Sequence, residues 1–211
     1  MGVIAAQTVL VAVVGYLLGS INTSLVVGRF YGVDVRKHGS GNAGMTNTLR
    51  TLGKLPAVLV IAGDVLKGVL ACLIGLFVTG DVKDIGYIGV MAGGISAIIG
   101  HNWPLYFGFK GGKGILTSFA VVLMMDWRIG LILFGVFLVV VLLTRYISLG
   151  SVTASVLFPL VSLLPVFGQS YIFSLFASVL ALMAIYRHRS NIVRIVNGTE
   201  SKFGEKKKSV S

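Results

Sequence analysis

Hydrophobic runs of about 20 residues, the length that crosses a bilayer core, recur along most of this chain and leave little room for a water-soluble fold. Candidate spans fall at 4–28, 55–79, 85–105, 114–126, 129–147, 150–167 and 170–186. The fourth is short for a full crossing and is expected to tilt or to pack among its neighbours. Short polar or turn-forming breaks fall at 79–84, 126–128 and 165–169. Charge agrees with this reading: 12% of the 211 residues are charged, about half of the roughly 25% that a wet surface carries, and the mean hydropathy is +0.93. The expectation is an all-α integral membrane protein of seven transmembrane helices, forming a single domain over 1–211 with a flexible basic tail over 197–211. The first run has no basic leader or cleavage context, so it reads as a retained helix and not a signal peptide. Cys72 lies within an apolar run and is the chain's one cysteine, so no internal disulfide is expected.

The net charge of +11 would suggest nucleic acid in a soluble protein, but no separate basic domain carries it. In a membrane protein a basic excess marks cytoplasmic loops. With seven spans and the N-terminus outside, the inner loops and tail collect Arg29, Arg36, Lys37, Arg50, Lys54, Lys110, Lys113, Arg145, Arg187, Arg189, Arg194, Lys202, Lys206, Lys207 and Lys208. The outer loops hold Lys83 and Arg128. Fifteen basic residues against two predict an outer N-terminus and a cytoplasmic C-terminus.

That orientation puts three polar clusters on the cytoplasmic side. The first runs from His38 through Ser40, Gly41, Asn42, Thr46 and Asn47 to Arg50. Its glycines, hydroxyls and amides suit either a patch of converging neutral donors or a turn-rich connection. The second is FGFKGGKG, Phe107 to Gly114. A nucleotide-binding phosphate loop needs Gly, four residues, then Gly-Lys-Ser/Thr; here Phe107 stands at the first position and Gly114 at the last, so that motif fails. Lys110, Gly111, Gly112 and Lys113 ahead of a helix starting near Ile115 still suit an anion, because bare amides, cationic side chains and the helix N-terminus converge. A plain interfacial anchor would need the lysines and not the glycines. The third cluster, YRHRSNIVR from Tyr186 to Arg194, puts His188 and Asn191 three apart, with Arg187 beside them, although a lone histidine at a helix end also serves as a dipole partner. Arg145 and Ser148 add a guanidinium and a hydroxyl at another inner end. Asp64 and Lys67 stand at i, i+3 within the second span and are expected to pair, because charge at that depth is costly, with Asp64 orienting a loop residue as the alternative. His101, at the end of the third span, is expected to be structural. No HExxH, no cysteine–histidine set and no carboxylate cluster is present, so neither a metal nor a cofactor is expected.

Taken together, SGNAGMTN (Ser40 to Asn47) with Arg50, GDVLKG (Gly63 to Gly68), GHNWPLYFGFKGGKG (Gly100 to Gly114), RYISLGS (Arg145 to Ser151) and YRHRSNIVR make the chain resemble the bacterial acyl-phosphate-dependent glycerol-3-phosphate acyltransferases. The resemblance runs over nearly the whole chain in matching order. Met45 and Ile115-Leu116 depart from the family's usual small or valine–alanine residues. The resemblance implies a multi-pass enzyme of the bacterial inner membrane with its site facing the cytoplasm. It implies transfer of an acyl group from a fatty acyl phosphate to the 1-hydroxyl of sn-glycerol 3-phosphate, giving lysophosphatidic acid and inorganic phosphate in phospholipid biosynthesis. Carried over by motif, Ser40, Asn42, Lys110, His188 and Asn191 are the expected catalytic residues. Gly41, Thr46, Asn47, Arg50, Gly111, Gly112, Lys113, Arg145, Ser148 and Arg187 are the expected phosphate-binding residues.

The residue chemistry fits substrates that carry phosphate and a lipid tail. An acyl phosphate has a good leaving group, so direct attack by the glycerol hydroxyl needs no strong protein nucleophile. The base is either His188 or a phosphate oxygen of the substrate; the lack of a carboxylate to orient the imidazole favours the phosphate. Two other classes compete: a transporter of an anionic metabolite, which would want polar residues at mid-membrane depth with access from both sides, and a non-catalytic lipid-binding protein.

Overall fold

The computed structural model describes residues 2–80 and 87–205, and every regular element among them is helical. The expected outer break beyond Gly80, with Lys83, and the tail lysines Lys206 to Lys208 lie outside the described residues. The helices are α1 (Gly2–Ser20), α2 (Thr23–Phe30), α3 (Met45–Leu52), α4 (Lys54–Thr79), α5 (Ile88–Asn102), α6 (Ile115–Met125), α7 (Trp127–Thr144), α8 (Ile147–Ser162) and α9 (Tyr171–Val196). Each of the seven apolar runs contains a helix. Among the described residues, four runs are long and apolar enough to cross a membrane: Gly2–Phe30, Lys54–Thr79, Trp127–Thr144 and Tyr171–Val196. At about 1.5 Å per residue, the 11 residues of α6 reach roughly 16 Å, about half of a hydrocarbon core.

Three boundaries differ from the sequence expectation. The first run is two helices, because Asn22 ends α1 and caps α2: its Oδ1 accepts from the Leu25 amide at 3.1 Å and its Nδ2 donates to the Ala43 carbonyl at 3.4 Å. Asparagine is a strong N-cap because a short amide reaches the orphan donors of the first turn. The first polar cluster is half loop and half helix, with Thr46, Asn47 and Arg50 on α3. The last helix runs ten residues past Tyr186, to Val196, so the third cluster is helical throughout.

The chain divides into two compact units, Met1–Trp127 and Arg128–Ser211. In the first, α1 lies along α5 and α4 packs on α5 and α6. Small residues let backbones meet, as membrane helices require: a Cβ at Gly19 would strike the Ala97 main chain, and one at Gly100 would strike the Tyr16 carbonyl. At one end of this unit Leu25, Val35 and Ala43 form a small buried core that Leu52 and Phe107 pack against. It joins α2, the following loop, α3 and the start of the glycine-rich loop. In the second unit α8 packs on α9, where Phe158 meets Phe173 edge to face at 5.7 Å and the Ser162 hydroxyl donates to Ser174 at 3.0 Å. Leu142 and Leu143 are 78% and 80% exposed, an outward apolar surface suited to lipid.

Candidate active site

In the first unit, the loop between α2 and α3 is organised by one side chain. Asn47, buried on α3, donates through Nδ2 to the carbonyls of Val35 (2.8 Å) and His38 (3.1 Å), and its Oδ1 accepts from the Ser40 amide at 2.8 Å. Both amide donors are therefore committed to the loop's backbone. Ser40, Gly41 and Arg50 are exposed, while Asn42 and Thr46 are half-buried. Ser24 and Thr48 share a buried 2.7 Å hydroxyl contact that ties α3 to α2.

Arg36 links this loop to the glycine-rich one. Its guanidinium grips Asp34 (Nη2–Oδ2 2.9 Å, Nε–Oδ1 3.0 Å) and Nη1 donates to the carbonyls of Phe107 (3.1 Å) and Lys110 (3.4 Å). The hydrogen bond and charge of Arg36 hold the Asp34 carboxyl below the usual carboxylate range, and Asp34 in turn raises Arg36. Between the two loops lies an open cleft of about 780 Å³ whose lining includes Arg29, Arg36, Lys37, Gly41, Lys110 and Gly111. Four lining cations face one lining carboxylate, Asp34, so the cleft favours anions. Arg29 also stacks on Phe107, 4.8 Å from the ring centroid.

The glycine-rich loop follows a tight path, with left-handed φ at Gly108, Phe109 and Gly114. At Gly114 that conformation leads directly into α6, whose start no side chain caps, so its first amides point back at the loop. The Gly112 amide donates to the His101 carbonyl at 3.1 Å. A Cβ at Gly112 would collide with His101 Nε2 and the Ala43 carbonyl, and one at Gly111 with the His101 carbonyl. Glycine is thus required here for close packing. Gly112 is buried and Lys113 half-buried, whereas Lys110 is exposed at the cleft. Beneath the loop Asp64 and Lys67 pair at 2.7 Å as expected, with His101 as a third member.

In the second unit, Ser148 and Asn191 converge on a residue the sequence reading passed over, Glu200. Its Oε1 accepts from Ser148 Oγ (2.7 Å) and Asn191 Nδ2 (2.6 Å), and its Oε2 pairs with Arg194 Nε at 2.7 Å. Burial alone would raise the Glu200 carboxyl, but the hydrogen bonds from Asn191, Ser148 and Arg194 and the Arg194 charge outweigh it and hold the group below its ordinary value. The signal available in the sequence was the chain reversal at Asn197-Gly198, with Gly198 at φ 67, which returns the next acid to the Asn191–Arg194 face. Of the tail expected from 197 onward, the described part is held: the Arg145 guanidinium donates to the Phe203 carbonyl (2.9 and 3.2 Å) and the Phe203 amide to the Arg145 carbonyl (2.7 Å). His188 is buried, and its Nδ1 lies 2.8 Å from the Ala184 carbonyl. A carbonyl only accepts, so Nδ1 carries the proton and Nε2 is the basic nitrogen of the neutral ring. The orienting group is a backbone oxygen one turn back, which a search for carboxylates could not find. Arg187 is half-buried beside it on α9.

Among the described residues no group of three or more metal-ligating side chains occurs. The sequence pattern of the family described as glycerol-3-phosphate acyltransferase matches residues 9–198. A glycerol-3-phosphate acyltransferase of Thermoanaerobacter sp. is 46% identical over 199 residues, covering 94% of this chain and 96% of the relative. One of Clostridioides difficile is 46% identical over 204 residues, covering 94% and 97%. The crystal structure of PlsY, an integral membrane glycerol 3-phosphate acyltransferase, in its glycerol 3-phosphate form superposes with a TM-score of 0.85 at 40% identity, covering 93% of this chain and 96% of that one. Its lysophosphatidic acid form gives 0.82 at 39% identity, covering 93% and 95%.

Proposed function

Because this chain belongs to the glycerol-3-phosphate acyltransferase family of integral membrane enzymes, we propose that its two basic loops bind the phosphates of an acyl phosphate and of glycerol 3-phosphate and bring them together for acyl transfer. The carrying observation is the cationic cleft between the loops, lined by Lys110, Gly111 and Gly41 together with Tyr106 and Phe107. The 1-hydroxyl of sn-glycerol 3-phosphate attacks the acyl carbonyl, the new ester bond forms, the carbonyl–phosphate oxygen bond breaks, and inorganic phosphate leaves. The products are lysophosphatidic acid and phosphate.

Lys110, at the cleft beside Gly111, neutralises phosphate and developing oxyanion charge, while Gly112, its amide spent on the His101 carbonyl, shapes the loop that presents them. Ser40 and Asn42, on either side of the cleft-lining Gly41, are assigned as short polar donors by their motif, as Thr46, Arg50 and Lys113 are assigned the remaining phosphate contacts. Asn47 acts by holding Ser40 in place. The proton passes to a phosphate oxygen of the substrate. His188, 2% exposed with Nδ1 held by the Ala184 carbonyl, keeps Nε2 as its basic nitrogen and is the alternative base. Arg145, Ser148, Arg187, His188 and Asn191 are assigned to the same reaction on the strength of their motifs, and a single catalytic domain over 1–211 belongs to this proposal. So do seven membrane crossings, an outer N-terminus and a cytoplasmic site, supported by the asymmetry of fifteen basic residues against two.

Purified protein incubated with acyl phosphate and glycerol 3-phosphate should release phosphate and form lysophosphatidate in equal amounts. Replacing the donor with acyl-CoA should abolish the reaction. Absence of product with acyl phosphate would end the enzymatic reading, and activity with acyl-CoA would change the donor. Labelling of single cysteines placed at 33 and 169 from each side of sealed vesicles tests the topology.

A further inference from the structure

We propose that Lys67 and Asp64 are positioning residues for the glycine-rich loop, acting through His101. This rests on the reading that residues 108–114 hold a substrate phosphate. Asp64, Lys67 and His101 are 2%, 5% and 3% exposed, so none can touch a substrate in the cleft. Lys67 Nζ has three acceptors around it: Asp64 Oδ1 at 2.7 Å, the Ile21 carbonyl at 3.3 Å and His101 Nδ1 at 2.8 Å. Paired with Asp64 as an ammonium, Lys67 has three donors and no lone pair, so His101 Nδ1, which also lies 3.4 Å from Asp64 Oδ1, accepts from it and the ring proton sits on Nε2. The lysine thereby fixes both the orientation and the tautomer of the imidazole.

The other end of the ring is the floor of the loop. Gly112 packs against His101 Nε2 so closely that a Cβ would not fit, and its amide is anchored on the carbonyl of the same histidine at 3.1 Å. Asp64 ties the cluster to the elements on either side. Its Oδ1 also accepts from Thr23 Oγ1 on α2 at 3.0 Å, and its carbonyl accepts from Thr117 Oγ1, in the first turn of α6, at 3.1 Å. The flanking glycines of GDVLKG make these approaches possible, since a Cβ at Gly63 would press on Thr23 and one at Gly68 on Thr117. If the cluster served only to hold helices together, apolar residues of similar volume would do it as well, because a buried ion pair is no better than neutral packing. A charged cluster whose single outward face is an oriented imidazole under an anion loop fits a positioning role.

The test is steady-state kinetics on the full chain purified in detergent, with each substrate varied in turn. Lys67→Met should raise KM for at least one of the two phosphate-bearing substrates by about tenfold or more while kcat stays within about threefold. His101→Asn keeps an acceptor where Nδ1 lies but removes the Nε2 end, and should raise the same KM. His101→Gln, whose amide reaches the Nε2 position, should raise it less. Lys67→Met combined with Gly112→Ala should give a KM no worse than the poorer single variant, since both act on one loop. Unchanged KM for both substrates in His101→Asn and Lys67→Met, with losses confined to kcat or to thermal stability, would overturn the proposal. So would additive effects in the double variant. If Lys67→Met does not yield folded protein, His101→Asn and His101→Gln decide by the same criterion. A wild-type protein that forms no lysophosphatidate defeats the functional reading instead, before any variant is made.

Discussion

Asn47→Ala separates two roles for a residue that the motif match counts among the phosphate contacts and the geometry makes a loop organiser. The substitution removes hydrogen bonds of 2.8, 3.1 and 2.8 Å and leaves the fully buried Val35 carbonyl without its side-chain donor. Three bonds at about 1 kcal/mol each put the local cost at roughly 3 kcal/mol; the Val35 carbonyl keeps the His38 amide at 3.3 Å, so no cost for an unsatisfied group is added. At about 1.4 kcal/mol per decade, the ordered form of residues 38–44 loses about two decades against its open form. The Ser40 amide, donor to Asn47 Oδ1, should then exchange with deuterium about 100-fold faster while helices α4 and α5 keep their protection. Activity should fall as Ser40 and Asn42 lose their placement. Asn47→Asp, which keeps the acceptor for Ser40 but loses both donations, should fall between wild type and alanine in exchange rate. If Asn47→Ala raises KM sharply while exchange over 38–44 changes by less than about threefold, Asn47 contacts phosphate directly and the organiser argument is wrong.

Arg36→Met should raise KM for the phosphate-bearing substrates about fivefold, the effect of roughly 1 kcal/mol from a partly exposed ion pair and its backbone links; unchanged KM would show that the two loops hold their spacing without it. Glu200 titrates below its ordinary 4.5, so its stabilising contacts are fully present above that value and are lost as pH falls through the lower, folded-state pKa. Wild-type thermal stability should therefore drop on acidification below about pH 4.5 more steeply than that of Glu200→Gln, measured by tryptophan fluorescence; parallel curves would contradict the assignment. Gly19→Leu should prevent α1 from closing on α5, since the Ala97 main chain occupies the space, and should abolish a monodisperse folded species in detergent size-exclusion chromatography. Full recovery of that species would mean the interface has more give than its geometry implies.

Long apolar runs made the seven helical segments legible, because length and hydropathy alone decide what lipid tolerates. The interruption at Asn22 was not, since Leu18 and Leu25 continue the apolar pattern across it and the break depends on an amide reaching Ala43. Nor was α3, which is eight residues long and too short to hold by propensity; it is fixed by Asn47, Thr48 and the core beneath it. The i, i+3 spacing gave the Asp64–Lys67 pair, whereas its third member stands 34 residues from Lys67 on another helix. The motifs found Ser148 and Asn191 but not the carboxylate that joins them, because that contact exists only after the chain turns at Gly198.

The placement of Asp64 and Lys67 on one helix also bears on how the chain enters the bilayer. Segments emerge in order, so Ile21 and Thr23 are in place before α4, and His101 arrives after it. A lone charge at mid-helix costs about 2.5–3.5 kcal/mol at the insertion machinery. With donor and acceptor 2.7 Å apart on α4 itself, the helix presents an internally neutralised pair when it partitions, without waiting for α5. A lysine carried on α5 and an aspartate on α4 would make the same final cluster, but each helix would have to cross with its charge uncompensated.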